Sequence, residues 1–157
     1  MKIIGVIAAT LLLIGCQNLD SKPADWLLKG RVIVKTTDRA DRLSIRWRQF
    51  NDDSEILLTG PLGASIARIS AKDNRYILER PKTTPVYAGS LDELVGLAIG
   101  LDLPFSVIIP VLSGETRTTT IEEWRVAGSN YNEQNRPMLV DASGPGTNIR
   151  LIVQSWR

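Results

Sequence analysis

The sequence contains no histidine. That absence removes Ser-His-Asp and Cys-His nucleophile arrangements and every His-ligated zinc or iron site. There is one cysteine, Cys16, which closes no internal disulfide and builds no cysteine metal cluster. Net charge is small: Lys and Arg number 19 and Asp and Glu 17, a formal +2, which gives no electrostatic footprint for nucleic acid. Carboxylate pairs suited to acid–base chemistry are also missing. Asp52-Asp53 are adjacent in a turn, Asp92-Glu93 sit at a helix start where the helix dipole accounts for them, and Glu122-Glu123 read as strand neighbours facing opposite ways. No Walker A motif is present. At 157 residues, 43% hydrophobic and 23% charged, the chain has room for one domain and is too apolar for disorder. These exclusions point away from an enzyme and toward a binding, carrier or structural domain that uses no cofactor and no metal.

The one long apolar run is at the N-terminus. After Met1-Lys2, Ile3 to Ile14 is an almost unbroken stretch of twelve residues, closed by Gly15-Cys16. It is shorter than the ~20 residues that span a bilayer and has the length of a signal-peptide core. Leu13-Ile14-Gly15-Cys16 resembles the bacterial lipobox. The resemblance implies cleavage before Cys16 and acylation of its thiol, and Gln17 in the next position points to the outer membrane, periplasmic face. The expected organisation is therefore a signal peptide over 1–15, an acylated N-terminus and tether over 16–24, and a single domain over 25–157. The polar stretch from Gln17 to Ala24 spans at most about 28 Å when extended.

Most of the remainder alternates with period two. Leu28 to Lys35 reads as a strand. Leu43, Ile45 and Trp47 then point one way, and Ser44, Arg46 and Arg48 the other. Further strands are expected over Ile56 to Thr59, Ala64 to Ala71, Arg75 to Glu79 and Val86-Tyr87, with short polar turns between them. At Ser90 the period changes: Ser90-Leu91-Asp92-Glu93 reads as a capping box, Leu91, Leu94, Val95 and Ala98 repeat at helical spacing, and Gly100 can stop the helix. Leu103-Pro104 opens a second short apolar element, Phe105 to Leu112, which Pro110 should break or kink near its end. Strands resume over Ile121 to Ala127, Met138 to Ala142 and Asn148 to Gln154. The pattern predicts a mainly β fold with a helical insert: a curled antiparallel sheet of seven or eight strands, or open β-barrel, with a short helical lid over an apolar cavity. Candidates for the cavity lining are Leu43, Ile45, Trp47, Ile69, Leu94 and Trp124.

Gly60-Pro61-Leu62-Gly63 is the most informative motif. Pro at the second position and Gly at the fourth favour a type I turn with Leu62 at a hairpin tip. Such a leucine either folds back on its own sheet or stands out as an apolar finger toward lipid or a partner. Arg46 and Arg48 form either a solvated face or a docking patch for an acidic carrier.

Taken in order, these stretches are similar to the LolB family of outer-membrane lipoproteins. The matching residues are Leu28-Lys29-Gly30-Arg31-Val32, Leu43-Ser44-Ile45-Arg46-Trp47, Leu57-Leu58-Thr59-Gly60-Pro61-Leu62-Gly63, the helical Ser90 to Gly114, Trp124-Arg125-Val126, Arg136-Pro137-Met138-Leu139-Val140, and the closing Ile149 to Trp156. The resemblance implies a monomeric receptor that accepts acylated lipoprotein cargo from a periplasmic carrier of the LolA type. It also implies that the receptor holds the acyl chains in its cavity and inserts the cargo into the outer membrane, with Pro61, Leu62 and Gly63 as a membrane-insertion loop. The chain departs from the family in carrying Ile109-Pro110 where the second lid helix usually has a Trp, and in its short loops after Gly114. A solid-cored adaptor lipoprotein and a carrier of free lipid or glycolipid are the alternatives.

Overall fold

The computed structural model describes residues 24–101 and 104–157. The expected signal peptide, Cys16, most of the tether and Leu103 lie outside those residues.

Six strands come first: β1 (Trp26–Thr36), β2 (Ala40–Phe50), β3 (Asp53–Thr59), β4 (Ser65–Lys72), β5 (Arg75–Glu79) and β6 (Val86–Ala88). Two short helices follow, α1 (Leu91–Ile99) and α2 (Ile108–Ser113), joined through a 3-10 turn at Phe105–Val107. Four more strands complete the chain: β7 (Thr118–Ile121), β8 (Trp124–Tyr131), β9 (Pro137–Gly144) and β10 (Thr147–Trp156). All ten form one antiparallel sheet in the order β6-β5-β4-β3-β2-β1-β10-β9-β8-β7. The first and last strands thus meet in the middle of the sheet. The helical segment leaves from one edge strand, β6, and returns at the other, β7, so it crosses the sheet's inner face.

The alternation read from the sequence decides that face. Along β2, Ile45, Trp47 and Gln49 are buried while Ser44 and Arg46 are exposed. Along β10, Ile149, Leu151 and Val153 are buried between exposed Asn148, Arg150, Ile152 and Gln154. The register then lines the inward residues into rows, one of which runs Trp156–Leu28–Trp47–Ile56–Ile69–Leu78 across six strands. Burying each such large side chain contributes roughly 1.5–3 kcal/mol.

Three expectations are corrected. There are ten strands among the described residues, not seven or eight. Glu122-Glu123 are not in a strand: they form the reversal between β7 and β8, with Ile121 paired to Trp124 and Glu122 at φ 51°. Thr-Ile-Glu-Glu-Trp contains no Gly, Pro or Asn to announce a turn, so it reads as one continuous strand. Pro110 does not break the second helix. It lies in the first turn of α2, where a missing N–H costs nothing, and the preceding residues take a 3-10 turn instead of extending the helix backward.

Between β1 and β10 the backbones approach unusually closely. A Cβ on Gly30 would lie 2.5 Å from the carbonyl oxygen of Ile152, beside the register shift between Lys29 and Gly30. Gly30→Ala is expected to lower stability by about 1–3 kcal/mol through overpacking at the central strand pair, measured as a reduced midpoint in urea unfolding.

Candidate functional site

The inner face is closed by the helical segment. Leu91, Leu94 and Val95 of α1 are buried against β4, β5 and β6, and Ile108, Val111 and Leu112 of α2 are buried toward β8 and β9. Between the helices, Phe105 reaches the middle of the sheet and stacks on Trp47, with ring centroids 4.7 Å apart and planes 21° apart. Trp26 packs on Trp47 at 5.3 Å and on Trp156 at 5.5 Å, so four aromatic rings form one chain under the lid. Trp47, Ile69, Leu94, Val111 and Leu112 have 0% of their surface exposed. In this structure the apolar space between sheet and lid is occupied by the lid's own side chains.

Polar contacts seat the lid without filling its core. Ser90 Oγ accepts the Glu93 N–H at 3.1 Å, and the Glu93 carboxylate accepts the Gly89 N–H at 2.8 Å, a capping box shifted by one residue. Gly100 (φ 72°) ends α1 in a left-handed turn. Asp92 then clips the two halves of the lid together, accepting the Ser106 N–H at 2.6 Å and its hydroxyl at 2.9 Å. Arg39, in the β1–β2 turn, and Arg80, just past β5, donate to the carbonyls of Ile99 and Leu97 at the C-terminal end of α1. Beneath the lid the one polar requirement of Trp47 is met: its indole N–H donates to Gln49 Oε1 at 3.2 Å, which also accepts the Ser54 hydroxyl.

Of the six residues expected to line a cavity, Ile45, Trp47, Ile69, Leu94 and Trp124 all belong to one buried apolar cluster. Leu43 faces the same side but is half-buried, opposite Val32. Trp124 is set apart, near the β7–β8 reversal. Its ring lies on Gly144, where an added Cβ would come within 2.5 Å, and it borders a hollow of about 340 Å³ with Leu101, Pro145 and Thr147. Trp26 and Phe105 were missed by pattern reading. Trp26 continues the alternation of Leu28 by one step at a strand end, and Phe105 is hidden in an apolar run that periodicity alone does not orient.

The Gly60–Gly63 turn is more unusual than expected. Pro61 precedes Leu62 at φ 64°, ψ 16°, and the Gly63 N–H donates to the Gly60 carbonyl at 3.2 Å. A positive φ at the third position makes this a type II turn, not type I, with leucine where glycine is normally required. A left-handed conformation costs a non-glycine residue about 1–2 kcal/mol. In exchange the side chain stands fully clear of the protein, at 107% relative exposure. The fold-back alternative is thereby removed. Arg46 and Arg48 lie on the outer face, turned away from the lid; Arg48 donates to Glu55 at 3.3 Å.

A curled antiparallel sheet whose open side is covered by a short, separately clipped pair of helices has a counterpart among solved structures. A LolA superfamily protein from Nitrosomonas europaea superposes with a TM-score of 0.57 at 12% identity, over 87% of this chain and 86% of its own. The family model for the outer membrane lipoprotein LolB matches residues 24–114. The outer-membrane lipoprotein LolB of Nitrosococcus oceani is 35% identical, over 85% of this chain and 76% of its own length; that of Thiobacillus denitrificans is 28% identical, over 84% and 80%. The chain belongs to the LolB family of outer-membrane lipoproteins.

Two outcomes test this geometry. Asp92→Ala removes both lid-clip bonds, and amide exchange over Phe105 to Ser113 is expected to accelerate about tenfold, with strand amides unchanged. Leu62→Gly relieves the strained turn and is expected to raise unfolding stability by up to about 1 kcal/mol, net of the entropy that glycine adds to the unfolded chain.

Proposed function

We propose that this protein accepts acylated lipoproteins from a periplasmic carrier of the LolA type, holds their acyl chains between sheet and lid, and releases them into the outer membrane. The supporting observation is the seated lid. Its side chains cover an inner face that is apolar across the whole sheet, and it is attached by only a few polar contacts beyond that burial. Acyl chains offer the same surface the same kind of cover, at about 0.8 kcal/mol per buried methylene. Exchange of lid for cargo then carries little net cost, as a handover without nucleotide hydrolysis requires.

Ile45, Trp47, Ile69 and Leu94 form the floor and roof of the acyl site, with Leu43 and Trp124 toward its ends. The reading is of a binding protein that acts as a monomer and uses no catalytic group. Acylation of Cys16 supplies the anchor, and the tether over 16–24 keeps the domain at the bilayer. Leu62 enters the leaflet and opens the route for release. The strain at Leu62 supports that role, since a leucine held in a glycine conformation and aimed at water brings the folded domain no contact of its own.

The transfer assay from a cargo-loaded carrier to outer-membrane vesicles tests the reading. Leu62→Glu is expected to keep cargo binding and to stop insertion; normal delivery by that variant contradicts the role of the loop. Retention of the cargo by the loaded carrier in the presence of the wild-type protein contradicts the receptor reading itself.

A further inference from the structure

The outer face of the sheet carries an unbalanced charge pattern. Lys29, Arg46, Leu57 and Arg68 lie side by side in one row across β1 to β4, and Arg31 and Ser44 lie in the row next to it. Carboxylates answer part of this charge: Glu55 pairs with Arg48, and Glu79 stands opposite Arg68 in register. Lys29, Arg31 and Arg46 have no carboxylate opposite them. Lys29 and Arg46 face each other directly across β1 and β2, a like-charge pair that destabilises a sheet. Two hollows flank that pair, one of about 180 Å³ reaching Lys29, Ser44 and Arg46, and one of about 240 Å³ reaching Arg46, Arg48 and Arg68. On the other half of the outer face the basic residues are sparser: Arg150 is neutralised by Asp141 at 2.7 Å, and Arg125 stands alone opposite Thr120 and Ser143.

The ends of the domain bear on what covers this patch. The tether enters at Trp26, the start of β1, whereas the Leu62 hairpin leaves the sheet at Thr59, level with Ser44 and Arg31. Those levels are about 17 Å apart along the strands, and the loop adds up to about 10 Å. A flexible chain of the tether's length has an end-to-end distance of only about 16 Å and reaches about 28 Å when fully stretched. An upright domain with Leu62 in the bilayer therefore uses the tether taut. Tilting onto the outer face relaxes it and lowers the Lys29–Arg46 patch onto the membrane.

We propose that the outer-face patch around Lys29, Arg31 and Arg46 docks on the anionic phosphate head groups of the bilayer to which the protein is tethered, so that the domain lies on its side during release. The orientation argument rests on Leu62 and the acyl anchor both reaching the bilayer, as proposed above; the charge argument does not.

The test uses mature, acylated protein carrying Ser44→Cys with an environment-sensitive fluorophore, in vesicles with a head-group quencher. The vesicles are made of phosphatidylcholine alone or are rich in phosphatidylglycerol. Each basic residue near an anionic surface contributes about fivefold to partitioning, so quenching is expected to be several-fold stronger in the anionic vesicles. It should fall to the neutral level in Lys29→Gln/Arg46→Gln and weaken at high salt. Equal quenching in the two lipids overturns the proposal. So does a label that responds to a soluble acidic carrier and not to anionic vesicles, which assigns the patch to a protein. Leu62→Glu is expected to leave the Ser44 quenching in place while it stops release, so the patch and the loop fail separately.

Discussion

The stack of Phe105 on Trp47 expresses the constraint on which the molecule is built. A curled sheet with an apolar inner side cannot leave that side in water, and here the cover comes from a segment that is not part of the sheet. The lid gains its stability from burial, which any apolar partner can supply, and only its position from hydrogen bonds. Asp92, Arg39 and Arg80 fix where the helices sit without making their removal prohibitive. On the proposed reading such a lid stands in for cargo: the same aromatic and aliphatic surface is covered whether lid or acyl chain is seated, and the domain need not unfold to open.

Two local violations of folding rules stand at the periphery. Leu62 adopts a backbone conformation suited to glycine, and Lys29 confronts Arg46 across a strand pair. Neither arrangement helps the isolated domain. Both become favourable beside a bilayer, where an apolar tip finds hydrocarbon and clustered cations find phosphate. In the proposed arrangement the acyl anchor and tether set how the two are used together, because the described chain enters the sheet at Trp26, away from the level of the Leu62 hairpin.

Much of this was legible in the residues. Alternation in Leu43–Arg48 gave the inner and outer faces of β2 without ambiguity, and the Ser90–Glu93 cap and Gly100 stop bounded α1 correctly. What escaped has physical causes. The β7–β8 reversal is built by Glu122, in the left-handed region, and Glu123, neither of which carries a turn signature. Phe105 touches Trp47 through packing between segments far apart in the chain, and Trp26 meets it across the β1–β2 pair; period alone registers neither contact. Pro at the second position of the Gly60–Gly63 turn permits type I or type II, and leucine at the third position favours type I, so the observed positive φ runs against the local preference. Matches to the LolB family are spread over many short stretches, and their order along the chain is more specific than any one of them.

The central claim is that lid and acyl chain compete for one apolar surface. Spin labels on Leu97 of α1 and Arg42 of β2, both exposed, report the lid-to-sheet distance by pulsed electron resonance. Loading with acylated cargo should shift the distance distribution outward, and release into vesicles should restore it. Saturating cargo binding with the distribution unchanged would contradict the account.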